Sequence, residues 1–207
     1  MNIALVTQRV TIDPHHGERR DALDQRWTPF LAACGLLTVP VPNSPEQALQ
    51  LAEAMKPALI VFSGGNDLVA YGGDAPERDA TETALLAWGR AKAVPVLGIC
   101  RGMQLIQHVF GVPLGKVPDH VAVRHHVADE SGPLRQVNSY HCFAASQSGS
   151  ELLTRSSTSD GVVEAVSHRT DAVAGFMWHP EREAEFAAED IALVRHFLST
   201  GKIELKS

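Results

Sequence analysis

Residues 94–111 read V-P-V-L-G-I-C-R-G-M-Q-L-I-Q-H-V-F-G. Pro95 punctuates the start, and the apolar run Val96 to Ile99 has the length of a buried strand. From Arg101 to Phe110 the period changes. Met103, Ile106 and Phe110 recur at helical spacing, and Gly111 supplies the stop. Between strand and helix lies Gly98-x-Cys100-x-Gly102, which has the form of a nucleophile elbow, G-x-S-x-G, with Cys in place of Ser. A turn that sharp leaves little room for Cβ atoms on either side, which accounts for the glycines. The helix N-terminus directs free N–H groups and the positive end of its dipole at the sulfur, favouring thiolate. A buried cysteine at a strand end is ordinarily just a small apolar residue. The flanking glycines and the strand–helix context make Cys100 a candidate nucleophile.

Working outward, apolar strands alternate with helices over the first half of the chain. Asn2 to Thr7 reads as a strand, followed by a polar loop from Gln8 to Arg20. Asp21 is placed to cap a helix running to about Cys34, with Gly35 as its stop. Leu36 to Val41 is a second strand, and Ser44-Pro45 opens a helix ending near Met55. Ala58 to Phe62 is a third strand that runs into Ser63-Gly64-Gly65-Asn66-Asp67, and a helix over Asp79 to Lys92 leads to the elbow. This alternation predicts an α/β fold with a doubly wound, mostly parallel sheet and helices on both faces. Ligands bind at the carboxyl edge of such sheets, where the Gly-Gly turn lies.

Beyond residue 110 the pattern weakens. Pro113 to Pro133 is low in periodicity, and Gln136 to Ala144 reads as a short strand or turn rich in polar side chains. Gly161 to His168 alternates apolar and polar residues, Ala172 to Trp178 is a strand, and Glu185 to Leu198 is a closing helix. With 207 residues and no internal repeat, residues 1–207 are expected to form one domain.

Bulk properties narrow the function classes. A net charge of −6 argues against a nucleic-acid binder. Cys34, Cys100 and Cys142 form no C-x-x-C pair, which argues against a disulfide framework or structural zinc and suits a reducing cytoplasm. No signal peptide or membrane-length apolar run is apparent, so no membrane association is expected. His15-His16 and His125-His126 are adjacent pairs, which rarely chelate one ion together, and neither H-x-x-x-H nor H-E-x-x-H occurs. No metal is expected.

A cysteine nucleophile needs a base and a group to orient that base. His179 follows the strand Ala172 to Trp178, so it also lies at a strand's carboxyl end, and Glu181 stands two residues on. In an extended H-P-E segment the two side chains share a side. Glu181 can then hold one ring nitrogen while the other addresses Cys100. His108, His120, His125, His126, His141 and His168 compete for the same role. For an oxyanion hole, the backbone N–H of Arg101 is one candidate donor, and the Gly64-Gly65 turn is the candidate source of the second.

P-V-L-G-I-C-R-G-M-Q, S-G-G-N-D and W-H-P-E, in this chain order, resemble the class I glutamine amidotransferase superfamily, whose members carry a Cys-His-Glu triad. V-N-S-Y-H is similar to its gamma-glutamyl hydrolase branch, peptidase family C26. The opening T-Q-R with R-R-D-A-L-D-Q-R-W resembles the gamma-glutamyl-CDP-amidate hydrolases. The resemblance spans nearly the whole chain. It implies a flavodoxin-like fold that hydrolyses a γ-glutamyl amide through a cysteine thioester, without a cofactor. It implies Cys100 as nucleophile, His179 as base and acid, and Glu181 as orienter. Gly65 and Arg101 would supply oxyanion N–H groups. Gln104 matches a position that helps hold the glutamyl group. Asn138, Ser139, Tyr140 and His141 match the loop that grips its amino and carboxylate ends. The branch often has a second His after the position of His141, where this chain has Cys142; here that residue is expected to pack.

The cationic segment holding Arg9, His15, His16, Arg19 and Arg20 follows the first strand at the same expected edge. It reads either as a solvated surface loop or as a binding site for an anionic leaving group such as a nucleotide phosphoramidate. Other readings stay open. One is a glutaminase that supplies ammonia to a separate synthetase. Another is a catalytically silent γ-glutamyl-ligand binder. Redox sensing through Cys100 is disfavoured, because no resolving cysteine is evident nearby.

Overall fold

The computed structural model describes residues 2–129 and 132–203. In chain order the strands and helices are β1 (Asn2–Thr7), β2 (Arg9–Ile12), β3 (Arg19–Ala22), α1 (Trp27–Ala33), β4 (Leu36–Val41), α2 (Pro45–Met55), β5 (Leu59–Phe62), α3 (Pro76–Lys92), β6 (Val96–Ile99) and α4 (Arg101–Val109). There follow β7 (Gly115–Lys116), β8 (Val121–Asp129), β9 (Gly132–Tyr140), β10 (Phe143–Ala144), β11 (Leu152–Ser157), β12 (Val163–His168), β13 (Val173–Phe176) and α5 (Ala188–Thr200).

Among the described residues the main sheet runs β4-β1-β5-β6-β13-β12-β11-β8-β9. The first five strands are parallel. Counted along the chain they stand in the order 2-1-3-4-5, the flavodoxin-like arrangement. The last four join by antiparallel pairing. Strands β5, β6 and β13 are buried on both faces, which explains their unbroken apolar runs. Alternate side chains feed two cores. Leu5, Ile60 and Val96 pack with Leu85, Met103 and Ile106 on one face. Ala4, Val61 and Leu97 pack with Trp27, Phe30, Val194 and Phe197 on the other. Helices therefore cover both faces, as expected. No helix among the described residues is long and apolar enough to cross a membrane.

Register decides what meets at the carboxyl edge. Phe62 pairs with Gly98, and Ile99 pairs with Phe176. The residues just after β5, β6 and β13 are thus neighbours, and these are Ser63-Gly64-Gly65, Cys100 and His179.

Three expectations need correction. Gln8 to Arg20 is no open loop, because β2 and β3 form a hairpin. Its polar outer strand hid the pattern, and it is anchored by Asn66, whose amide exchanges two 2.9 Å hydrogen bonds with the Val10 main chain. Asp21 caps no helix. It lies in β3, its carboxylate accepts from the Asn43 backbone at 2.9 Å, and the helix begins later, at Trp27. The irregular-looking segment from residue 113 contains β7 and the long strand β8, which pairs with β9. Residues 121–124 of β8 are exposed, so no apolar alternation marked it.

Candidate active site

Cys100 occupies a backbone conformation of φ +52°, ψ −104°, rare for a side chain other than glycine. Such strain costs on the order of 1–3 kcal/mol and persists where surroundings enforce it. The enforcement is visible. A Cβ on Gly98 would meet the Gly102 main chain, and a Cβ on Gly102 would meet the Phe62 carbonyl. Helix α4 cannot approach β6 this closely with a larger residue at Gly98, nor β5 with a larger residue at Gly102. The turn is pinned by Cys100 N–H donating to the Phe176 carbonyl at 2.8 Å.

His179 follows β13. Trp178 beside it stacks on Phe176 with centroids 4.6 Å apart, and its indole N–H donates to Asp190 of α5 at 3.0 Å. The strand end that carries His179 is therefore anchored to the far helix. Nδ1 of His179 lies 2.7 Å from Oε1 of Glu181, and both residues are buried. The Cys100 side chain stands close enough to the ring to act on its charge. The backbone differs from the extended H-P-E expected, because Pro180–Arg182 form a single 3-10 turn. The turn, rather than strand alternation, brings Glu181 under the imidazole. Burial works against charge on His179, but the Cys100 sulfur and Glu181 outweigh it and push the ring up to about 9. His179 thus holds its proton at neutral pH, beside the sulfur.

Asn138 braces this histidine through the main chain. Its Nδ2 donates to the His179 carbonyl and its Oδ1 accepts from the His179 N–H, both at 2.8 Å. The side chain expected to grip substrate is thus committed to His179 and, at 2.8 Å, to Glu183.

The glycine turn reaches the same place. Gly65 has φ +86°, and a Cβ on Gly64 would lie 2.5 Å from Cε1 of His179. Sequence reading missed what holds this turn. Arg78 of α3 is fully buried, and its guanidinium donates to the carbonyls of Ser63 at 2.6 Å, Gly64 at 3.2 Å and Gly65. The carbonyls are thus held by Arg78, and the Ser63 N–H is taken by Thr7 Oγ1 at 3.2 Å. Arg78 is itself paired with buried Glu82 at 3.0 Å, which also takes a hydrogen bond from Thr7 at 2.6 Å and an ion pair from Arg101. Burial favours the neutral form of Glu82, but Arg101 and Arg78 hold its carboxyl below the usual range. The Arg101 side chain is therefore spent in this network, with Asp79 as a second partner. Its main-chain N–H begins helix α4, where no intrahelical partner exists.

A pocket of about 290 Å³ opens over these groups, lined by Gly65, Asn66, Asp67, Cys100, Arg101, Gln104, Tyr140, His141 and Cys142. Gln104 is fixed by a 2.8 Å bond to the Phe143 carbonyl. The Tyr140 ring stands edge-on to His179 with centroids 5.7 Å apart. His141 touches the pocket, but its Nε2 is 3.2 Å from Glu164. Ser139 is not brought to the pocket; its buried Oγ donates to the His120 carbonyl at 2.6 Å. Cys142 is exposed and lines the pocket with Cys100, so it neither packs in the core nor leaves Cys100 without a neighbouring thiol.

The cationic segment divides. The Arg9 guanidinium lies against Gly65, within 2.7 Å of where a Cβ would be. With Ala22, Leu23, Asp24 and Arg182 it lines a further pocket of about 320 Å³. Arg182 escaped sequence reading although it directly follows H-P-E; its guanidinium stacks 4.7 Å over Tyr140. Arg19 and Arg20 are placed elsewhere. Arg19 pairs with Glu77 and donates to the Asp74 carbonyl at 2.9 Å, while Arg20 pairs with Glu18 and, at 3.3 Å, Asp13. His120 and His125 also gather away from Cys100, around Glu164. Spacing along the chain, the ground for expecting no metal, does not reveal this cluster.

Residues 30–198 match the family model described as Glutamine amidotransferase class-I. The chain is 31% identical over 181 residues to a gamma-glutamyl-CDP-amidate hydrolase of Campylobacter jejuni, covering 86% of this chain and 89% of that protein. It is 35% identical over 126 residues to a glutamine-hydrolyzing GMP synthase subunit of Methanothrix thermoacetophila, covering 55% and 66%. The crystal structure of a glutamine amidotransferase from Thermotoga maritima superposes with a TM-score of 0.66 at 15% identity, covering 98% and 91%, a likeness of fold. The chain belongs to the class I glutamine amidotransferase family.

Proposed function

We propose that the protein hydrolyses the γ-glutamyl amide bond of a small γ-glutamyl compound, with Cys100, His179 and Glu181 as its triad. The observation that carries this reading is the meeting of a strained elbow cysteine with a histidine whose far nitrogen is held by a buried carboxylate. Cys100 attacks the γ-carbonyl carbon as thiolate. The main-chain N–H groups of Gly65 and Arg101 receive the oxyanion, where preorganised donors stabilise developing charge. His179 gives its proton to the leaving nitrogen as the C–N bond breaks, leaving a γ-glutamyl thioester. His179 then takes a proton from water, which attacks the thioester and releases glutamate and the Cys100 thiolate. Gln104, Tyr140 and His141 line the pocket that takes the glutamyl group in this reading.

The leaving group in this reading is anionic, a nucleotide phosphoramidate as in the name of the Campylobacter relative. Arg9 and Arg182 line the adjoining pocket and can offer guanidinium forks to phosphate. The test measures glutamate release from γ-glutamyl-CDP-amidate, glutamine and γ-glutamyl-aminobutyrate by the purified chain. Cys100→Ala should abolish release from all three. Arg9→Ala and Arg182→Ala should raise KM for the phosphate-bearing substrate selectively, while Arg19→Ala and Arg20→Ala should not. Equal kcat/KM across the three substrates at low salt overturns the assignment of the leaving group.

The likeness to the Methanothrix GMP synthase protein favours one second reading, a glutaminase supplying ammonia to a separate synthetase. That reading requires glutamine to be the best substrate and hydrolysis to rise when the partner is added.

A further inference from the structure

A buried histidine–carboxylate cluster stands apart from the sulfur. His120 precedes β8, His125 lies within it, and Glu164 lies on β12. His120 is 3% exposed, and the Glu164 side chain is fully buried. Nδ1 of His120 is 3.6 Å from Oε1 of Glu164, and Nε2 of His125 is 3.4 Å from Oε2. One ligand atom from each of the three residues falls within 4.8 Å of the others.

Their hydrogen bonding is incomplete in a particular way. Nδ1 of His120, Nε2 of His125 and Oε2 of Glu164 are buried without a hydrogen-bond partner. Orphaned buried polar atoms are rare in folded proteins and call for a cause. The outer partners, by contrast, are in place. Nε2 of His120 lies 2.9 Å from a carboxylate oxygen of Asp160. A carboxylate only accepts, so Nε2 carries a proton, and in the neutral ring that leaves Nδ1 with its lone pair toward Glu164. Nε2 of His141 likewise donates to Glu164 at 3.2 Å, leaving the other carboxylate oxygen open. Three unpartnered ligand atoms gathered about one point, with hydrogen bonds behind His120 and Glu164, is the arrangement of a metal-ligating set with its outer shell.

We propose that His120, His125 and Glu164 bind one divalent transition-metal ion of the zinc class, with Asp160 and His141 as orienting partners. Two imidazoles and one carboxylate suit such an ion, and the 3.4 Å between Nε2 of His125 and Oε2 of Glu164 is the separation of neighbouring ligands about a four-coordinate centre. A cavity of about 530 Å³ lined by His120, His125 and Asp160 gives the ion its path and leaves room for water as a fourth ligand.

The site has a consequence for the candidate active site. The main-chain carbonyl of His120 accepts both the Ser139 hydroxyl at 2.6 Å and the His141 N–H at 3.1 Å. An ion that fixes His120 therefore steadies Ser139 and His141, on either side of the Tyr140 ring that stands against His179. The role is structural, since the ion lies among residues that do not line the Cys100 pocket, apart from His141.

The test must exclude the Cys100–His179 pair, which could itself capture zinc. Chelator-treated Cys100→Ala protein is titrated with zinc chloride by calorimetry, with melting followed in parallel. Binding of one ion per chain, with a rise in Tm, is expected. His125→Ala and Glu164→Gln should each weaken binding by at least about 10-fold, and Asp160→Asn by about 10–100-fold. His126→Ala removes a ring that lines the cavity outside the ligand set and should leave binding intact. Circular dichroism of each variant without metal checks the fold. Cobalt(II) in the same protein should give a tetrahedral visible spectrum without a thiolate charge-transfer band. Absence of binding in Cys100→Ala protein, or equal affinity in folded His125→Ala and Glu164→Gln, overturns the proposal.

Discussion

The guanidinium of Arg78 donates to the carbonyl oxygen of Ser63 at 2.6 Å from a fully buried position. With its bonds to Gly64 and Gly65, it grips three successive carbonyls of the turn proposed to supply an oxyanion donor. An ammonium group has no planar fork with which to span them. Arg78→Lys should lower kcat by about 10²–10³-fold, the cost typical of losing one oxyanion donor, with a smaller change in KM. It should also lower stability, because buried carbonyls of the turn lose donors, each costing about 1–3 kcal/mol. Steady-state kinetics and thermal melting check both, and a kcat close to that of the unmodified chain would show that the turn holds its donor without the Arg78 clamp.

The raised pKa of His179 sets a pH dependence. Its value in the folded chain, about 9, stands above the ordinary 6.5. The stability contributed by its charged contacts is therefore complete below about 6.5 and is lost as pH rises through about 9. Activity that needs a protonated His179 should decline on the same limb. In the pH profile of kcat/KM, an alkaline limb near 9 is expected, moving to lower pH in Glu181→Gln, which removes one of the charges that raise the ring. An unmoved limb would show that Glu181 does not act on the histidine.

Asn138 holds both main-chain polar groups of His179 at 2.8 Å. Asn138→Asp keeps the size but loses the donor to the His179 carbonyl and faces Glu183 with like charge. It should reduce kcat by about 10²-fold with KM changed little, as expected for a misplaced catalytic group rather than a lost substrate contact. A rise in KM at constant kcat would return Asn138 to the substrate-gripping role implied by the family resemblance.

The three thiols should label at different rates. Cys100 lies at a helix N-terminus, lines the open pocket and stands beside His179, which can take up its proton. Cys142 is exposed, but desolvation and Asp67 push its thiol above the ordinary value. Cys34 is buried, and burial pushes it up to about 12. Brief iodoacetamide treatment at neutral pH, followed by peptide mass spectrometry, should modify Cys100 first, Cys142 slowly and Cys34 only after unfolding. Faster labelling of Cys142 than of Cys100 would contradict the elbow's activation of its thiol.

The parallel core was legible in the chain because its signals are local. Fully buried strands such as Leu59–Phe62 and Val96–Ile99 are continuous apolar runs, and the glycines flanking Cys100 announce a close strand–helix approach. The parallel character of these strands followed from their alternation with helices. Their order and register, through Phe62, Gly98, Ile99 and Phe176, put Cys100 and His179 side by side. What the sequence could not carry are contacts set by long-range pairing of polar residues. Arg78 looks like any charge near a helix start, and only the packing of α3 turns it onto the glycine turn. Arg9 reaches Gly65 while Arg19 and Arg20 face other partners because the β2–β3 hairpin has two sides and two ends. His120, His125 and Glu164 show no ligand spacing along the chain, yet β12, β8 and the segment before β8 converge around one point. Polar side chains lack the periodic signature that burial imprints on apolar ones, so their partners were decided by the tertiary fold.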